Sequence, residues 1–270
     1  MSFLEDVPSS DIAFRETLEL LDWPKLCQQL SSFASTPQGQ RQCKELEIPI
    51  NFISSQTKLA QTLEIASLDE EAEGGLSFQG VNDLFEILFR CSKGGVASGE
   101  ELLNISETIR AARRLRKQVE DSVLRPSLTT LWIGLPTFHE LIKLLEFGLE
   151  EGGRIADRAS IDLSRLRRQL QNLRLKRREV LQGLIRRYNA LLQDTVIAYR
   201  HGRPVLALKA GSVDQLSGMI HDRSSSGNTF FVEPQDVISL GNQISEVETN
   251  IIAEEERLLS IWSTVVGQNF

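Results

Sequence analysis

Reaction chemistry has little to work with in these 270 residues. Three cysteines (Cys27, Cys43 and Cys91) are an odd number with no C-x-x-C spacing, and no histidine stands near them in sequence. A disulfide framework and a zinc site are therefore not expected. No G-x-x-x-x-G-K-[ST] occurs, so no phosphate-cradling loop can be assigned, and no paired acids or metal-ligand cluster stands out. The opening MSFLEDVPSSD lacks the basic and apolar parts of a signal peptide, and no apolar run approaches the ~18 residues of a membrane span. A cytoplasmic protein without a membrane partner is the simplest expectation. The net charge of -7 argues against a general polyanion binder.

That charge is unevenly spread. Between Arg154 and Arg203 stand thirteen Lys and Arg against four Asp and Glu, a balance of +9 that leaves -16 to the rest of the chain. Within this stretch Leu163, Leu166, Leu170, Leu173, Val180, Leu184, Tyr188 and Leu191 recur at steps of three and four that slip at two places, Arg177 and Leu184 to Tyr188, and no proline intervenes before Pro204. The spacing predicts one helix from Ser160 to Arg200 with a heptad seam, capped by Asp157 or Ser160. Its other faces carry Arg165, Arg167, Arg168, Arg174, Lys176, Arg177, Arg178, Arg186 and Arg187.

Before it, residues 1–152 show only helical patterns: Leu18–Phe33 as two short helices with Pro24 in a first turn, a start at Thr36-Pro37, Asn51–Ala66, Val81–Cys91, Gly99–Val119 after Ser98 as N-cap, and one or two helices in Leu128–Leu149. The acidic Asp69–Gly75 reads as a solvated loop, and Gly152-Gly153 breaks the chain. After His201-Gly202 the period changes. Val205–Lys209, Gly218–Asp222 and Thr229–Val232 are short β-prone runs that predict a small antiparallel sheet, with Gly227 at positive φ in the tight turn of Asp222–Asn228. Pro234 opens a second long helix whose seam is Val237, Leu240, Ile244, Val247, Ile251, Glu254, Leu258, Ile261 and Val265. The expected fold is mainly α: a helical core (1–152), an outgoing helix (153–202), a small β region (203–234) and a returning helix (235–270), the long helices antiparallel. The chain stops at Phe270 without a capping signal, as a piece of a longer protein would.

Residues 153–160 (GRIADRAS) resemble the segment that opens the lever helix across the MutS superfamily. Residues 217–234 (SGMIHDRSSSGNTFFVEP) resemble the clamp signature of its second bacterial branch, MutS-two. The resemblance spans nearly the whole chain, weakly over residues 1–150 and strongly over 153–234. Leu18–Phe33 resembles the first core helices, with no mismatch-reading or connector domain before them. It implies the core, lever and clamp of a protein that closes as a homodimer on branched or duplex DNA and suppresses homologous recombination. A collided ribosome is the alternative ligand the family suggests. An ATPase domain with ATP and Mg, and a small nuclease-like domain, are implied beyond Phe270. The chain itself is expected to need no cofactor and to be no enzyme. Phe3-Leu4-Glu5 spells the F-x-E of mismatch sensors, but without its domain it carries almost no weight.

Residue by residue, phosphate contact falls to Arg165, Arg168, Arg174, Lys176, Arg177, Arg178, Arg186, Arg187, Lys209 and Arg223, and the clamp motif to His221, Asp222, Ser226 and Gly227. The competing view is a structural strut: arginines beside a seam pair with acids of the partner helix, and Glu246, Glu248, Glu254, Glu255 and Glu256 are available. About half the positive charge is expected to be used that way, and the surplus to favour phosphate. No aromatic residue is interleaved with the arginines, so backbone and shape are expected to be recognised rather than bases. His221-Asp222 with Ser224–Ser226 reads as a hairpin turn rather than a catalytic triad, and His139 and His201 as structural. One pair is singled out. Arg177 and Glu254 interrupt the two seams; if paired positions sum to about 436, twice the centre of the sheet near residue 218, their sum of 431 leaves an offset of five residues, roughly 7.5 Å, much of which an Arg side chain can span, and the two are expected to meet.

Overall fold

The computed structural model describes residues 9–49 and 51–269. Among the described residues ten α-helices and four strands follow in order: α1 (Ser9–Leu20), α2 (Trp23–Ser31), α3 (Pro37–Lys44), α4 (Phe52–Glu71), α5 (Phe85–Ser92), α6 (Gly99–Val119), α7 (Pro126–Thr130), α8 (His139–Gly148), α9 (Ile161–Arg187), β1 (Leu192–Arg200), β2 (Arg203–Lys209), β3 (Gly218–Arg223), β4 (Thr229–Pro234) and α10 (Gln235–Gly267). The fold is mainly α with a small antiparallel sheet. Phe3-Leu4-Glu5 and the chain end at Phe270 lie outside the described residues.

The chain divides into two compact units, Met1–Arg154 with Trp262–Phe270, and Ile155–Ile261. In the first, helices start where short polar side chains satisfy free N–H groups. Thr36 Oγ1 accepts from Gly39 N at 3.1 Å and Asn51 Oδ1 from Ser54 N at 2.8 Å. At α6 the Ser98 hydroxyl accepts from Glu101 N while the Glu101 carboxylate accepts from Ser98 N, a complete capping box. Leu102, Ile105, Leu145, Trp262 and Val266 are buried together with the Ser263 hydroxyl, which accepts from Ala97 N at 2.9 Å. A side chain at Gly148 would collide with the Trp262 ring, so α8 and the end of α10 pack closely. α4 runs to Glu71, past the expected end at Ala66, and the chain turns only at Gly74 and Gly75, both at positive φ. α5 begins at Phe85 rather than Val81.

In the second unit the expected helix to Arg200 is corrected: α9 ends at Arg187 and Leu192–Arg200 is a strand. Leucine spacing continues through Leu191, but Thr195, Val196 and Ile197 are β-branched and favour extended backbone. Leu192 and Ile197 bury against Leu181, Leu184, Leu206, Leu208, Val232 and Val237, joining the last turns of α9 to one face of the sheet. His201, expected at a helix end, sits with Gly202 in a two-residue hairpin turn where both have positive φ (50° and 77°). The sheet order is β1-β2-β4-β3, all antiparallel. The β2–β4 register is regular, whereas β1 shifts twice against β2 and β3 once against β4.

The returning seam is buried at Val237, Leu240, Ile244, Val247, Ile251 and Leu258. Ile261, predicted on it, is 44% exposed, and burial passes to Trp262 and Val266. A straight helix at 3.6 residues per turn drifts off a strict heptad, which accounts for the slip.

Candidate nucleic-acid interface

Ser160 starts α9 by accepting from the N–H groups of Asp162 and Leu163. The other expected cap, Asp157, instead holds the guanidinium of Arg167, which also donates to Ile155 O (2.9 Å) and to Glu255 (2.6 Å). Arg174 meets Glu248 at 2.7 Å. Arg167 with Glu255 and Arg174 with Glu248 each sum to 422, as do Arg187 and Gln235, the positions at which α9 and α10 end at the sheet. The register is therefore centred on residue 211, midway between those two helix ends, and not on residue 218.

This corrects the Arg177–Glu254 pairing. The Glu254 carboxylate accepts from Arg257 (2.6 and 2.8 Å) and from the Ser160 hydroxyl (2.5 Å). Those two partners, Arg257 first, hold its pKa at about 2. Arg177 is half-buried on the seam side and has no acid partner among the described residues. Placing the sheet's centre at residue 218 assumed α9 reached Arg200, which moved the expected partner of every residue.

Away from the seam, Arg165, Arg168, Asn172, Lys176, Glu179, Gly183, Arg186 and Arg187 recur at steps of three and four and form one stripe. Arg165 pairs with Asp162 at 2.9 Å within its own helix. Arg168 reaches only Ser164, and Arg187 lies over the Tyr188 ring. Lys176 and Arg186 on the stripe, and Arg178 beside it, have no carboxylate within ion-pair reach among the described residues. A shallow groove of about 510 Å³ runs along Arg165, Arg168, Asn172 and Lys176.

The remaining sequence-predicted cations meet at the end of the sheet that α9 enters. Lys209 closes β2 and donates to Ala190 O at 3.0 Å, three residues beyond Arg187. Lys209 pairs across the sheet with Thr229, and Arg223 with Phe230, so both flank the Ser224–Asn228 turn. In that turn Gly227 has φ 73°, as expected, and its N–H donates to Ser224 O at 2.8 Å. Arg223 is fixed without any acid: its guanidinium lies over the Phe230 ring at 5.1 Å and donates to Gly227 O at 3.3 Å. Ser226 is exposed beside Ser224, whose hydroxyl accepts from Thr229 N.

The triad geometry is not assembled. His221 Nε2 lies 2.8 Å from Glu233 rather than from a serine, and Asp222 takes Arg200 at 2.9 Å. The Arg223 N–H and then Arg200 lower the Asp222 pKa. Among the described residues no three His, Cys, Asp or Glu side chains converge as a metal site would require. His139 is an exposed neighbour of Arg113.

Sequence reasoning missed the group around Glu233. This carboxylate is only 2% exposed, between His221 and an Arg203 guanidinium at 3.6 Å, and Arg203 also donates to Asn242 at 3.0 Å. Gly241 leaves the room: a Cβ there would stand 2.5 Å from Arg203. The only available signal was an acid and a histidine in β-prone runs, and nothing in either run shows that the two face each other.

No family model matches the chain. It is 40% identical over 244 residues to endonuclease MutS2 of Synechocystis sp., covering 90% of this chain and 30% of that protein. To endonuclease MutS2 of Symbiobacterium thermophilum it is 31% identical over 252 residues (93% and 32%), and to that of Listeria welshimeri 32% over 247 (89% and 31%). The chain thus spans about 30% of the length of these relatives. Matched in sequence along about nine tenths of its length, this chain belongs, as a segment, to the MutS2 family.

Proposed function

We propose that this chain is the core, lever and clamp portion of a MutS2 protein, with α9 and α10 as the lever helices and the sheet as the clamp, and that it seats duplex or branched DNA by its phosphate backbone. The reading is carried by one observation: among the described residues Lys176, Arg177, Arg178 and Arg186 have no acid partner, while Glu248 and Glu255 on the neighbouring helix are taken by Arg174 and Arg167. Repulsion among unneutralised cations does nothing for the fold, and a polyanion relieves it. Arg223 and Lys209 extend the same charge to the sheet, positioned by an aromatic ring and backbone carbonyls instead of by acids.

In the whole protein two such chains close as a homodimer, and an ATPase outside this sequence drives closure with ATP and Mg. Restraint of recombination follows from holding branched DNA. The chemistry in the relatives' name, endonuclease, is assigned to residues outside this chain.

Titration of labelled duplex, four-way junction and ribosomal RNA at several salt concentrations tests the reading. About four phosphate contacts on α9 give a slope of log K against log salt of about -3.5. Replacing Lys176, Arg177, Arg178 and Arg186 with Ser lowers affinity for DNA of any sequence alike and flattens that slope. Unchanged affinity in that variant defeats the proposal, and a preference for ribosomal RNA over both DNAs transfers the same surface to the ribosome.

A further inference from the structure

Most glycines here have an evident structural reason. Gly202 and Gly227 adopt positive φ, and at Gly148, Gly218 and Gly241 a side chain would strike Trp262, the Glu233 carbonyl or Arg203. Gly183 has neither reason. It lies inside α9 without a positive φ, and a Cβ built on it meets no atom within 4 Å. Glycine is among the least stable residues in a helix interior, where alanine would fit at no steric cost. Folding of this unit therefore gains nothing from it.

Its place on the helix is informative. Gly183 belongs to the outward stripe, seven residues after Lys176 and three and four before Arg186 and Arg187. Lys176 and Arg186 are about 15 Å apart along the axis. Between them the helix has long cationic side chains on either side and a bare backbone at Gly183. Glu179, one turn before Gly183 on the same stripe, is outnumbered by Lys176, Arg186 and Arg187.

We propose that Gly183 is the point of closest approach between α9 and a nucleic-acid strand, left without a side chain so that the sugar–phosphate backbone rests on the helix while Lys176, Arg186 and Arg187 reach its phosphates. The proposal rests on the nucleic-acid reading and adds to it a contact that involves no charge. A second copy of the chain crossing α9 at the glycine is the competing occupant, and four flanking charges, three of them positive, argue against a like-charged helix there.

The test compares Gly183→Ala, Gly183→Leu and the exposed off-stripe control Gln182→Leu by melting temperature, sedimentation and anisotropy of a fluorescein-labelled duplex. Gly183→Ala is expected to raise the melting temperature and yet weaken duplex binding about threefold, and Gly183→Leu to weaken it about tenfold. The salt slope stays at the wild-type value because no cation is removed. Gln182→Leu leaves binding unchanged. Wild-type affinity in Gly183→Leu overturns the proposal, as does altered self-association with binding intact. If the serine variant of Lys176, Arg177, Arg178 and Arg186 weakens binding while Gly183→Leu does not, only the contact point falls. If neither variant changes binding, or the wild-type chain binds no duplex, the nucleic-acid reading falls with it.

Discussion

The two halves of α9 use the same residue types for different ends. From Ser160 to Arg174 the charged groups are mostly engaged: Arg167 has two acids and a carbonyl, Arg174 has Glu248, and Ser160 holds Glu254 on α10. From Lys176 to Arg187 the anchoring is apolar, with Val180, Leu181, Leu184 and Ile185 set in the sheet core, and the cations have no acid partners among the described residues. Arginine density alone therefore says nothing about partners. Where an apolar core already fixes the helix, its charges are free for another molecule; where the seam thins, they hold the two helices in register.

The sharpest way to break this comparison is Arg167→Ala. Its side chain is 21% exposed and its removal leaves Glu255 and Ile155 O unanswered, so unfolding free energy should drop by about 2–3 kcal/mol. Urea denaturation showing no loss would mean that the paired half is as dispensable to folding as the unpaired one.

A smaller effect is expected with pH. The Glu254 carboxyl is held at about 2 against an ordinary 4.5, so its contribution to stability is complete above pH 4.5 and is lost as pH falls through 2. Urea midpoints of the wild type should fall across that window by more than those of Glu254→Gln, which has no proton to take up there. Parallel curves for the two proteins would remove Glu254 from the register.

Smallest of all is the expected stability change on replacing Lys176, Arg177, Arg178 and Arg186 with Ser, within about 0.5 kcal/mol per site and of either sign. A loss as large as that of Arg167→Ala would show these cations to be part of the fold after all.

Local features were legible in the sequence. The Ser98 N-cap, the φ of Gly227 and the α10 seam as far as Leu258 each depend on a few neighbouring residues, and those dictate the answer. The end of α9 was not legible, since Leu191 and Leu192 continue a helical spacing and only the sheet supplies the competing burial for Leu192 and Ile197. That one error displaced the register and the Arg177–Glu254 pair with it. In the site, the stripe of cations was visible as composition, but which of them acids would neutralise depended on the register. Glu233 is a tertiary fact: its burial comes from Arg203, His221 and the bare backbone of Gly241, drawn from two other strands and a helix.

The irregular register of the outer strands bears on a hazard of the unfolded and newly made chain. β1 and β3 are the sheet's two borders, and a straight border exposes a row of unpaired N–H and C=O groups on which another molecule's strand can grow. Both borders are kinked, β1 between Leu192 and Ala198 and β3 between Ile220 and Asp222, while the interior pairing of β2 with β4 is unbroken. A strand docking on either border would find its hydrogen-bond partners out of step within a few residues. Val196, Met219 and Ile220 are exposed on those same strands, the kind of apolar border on which an unbroken register would favour strand addition.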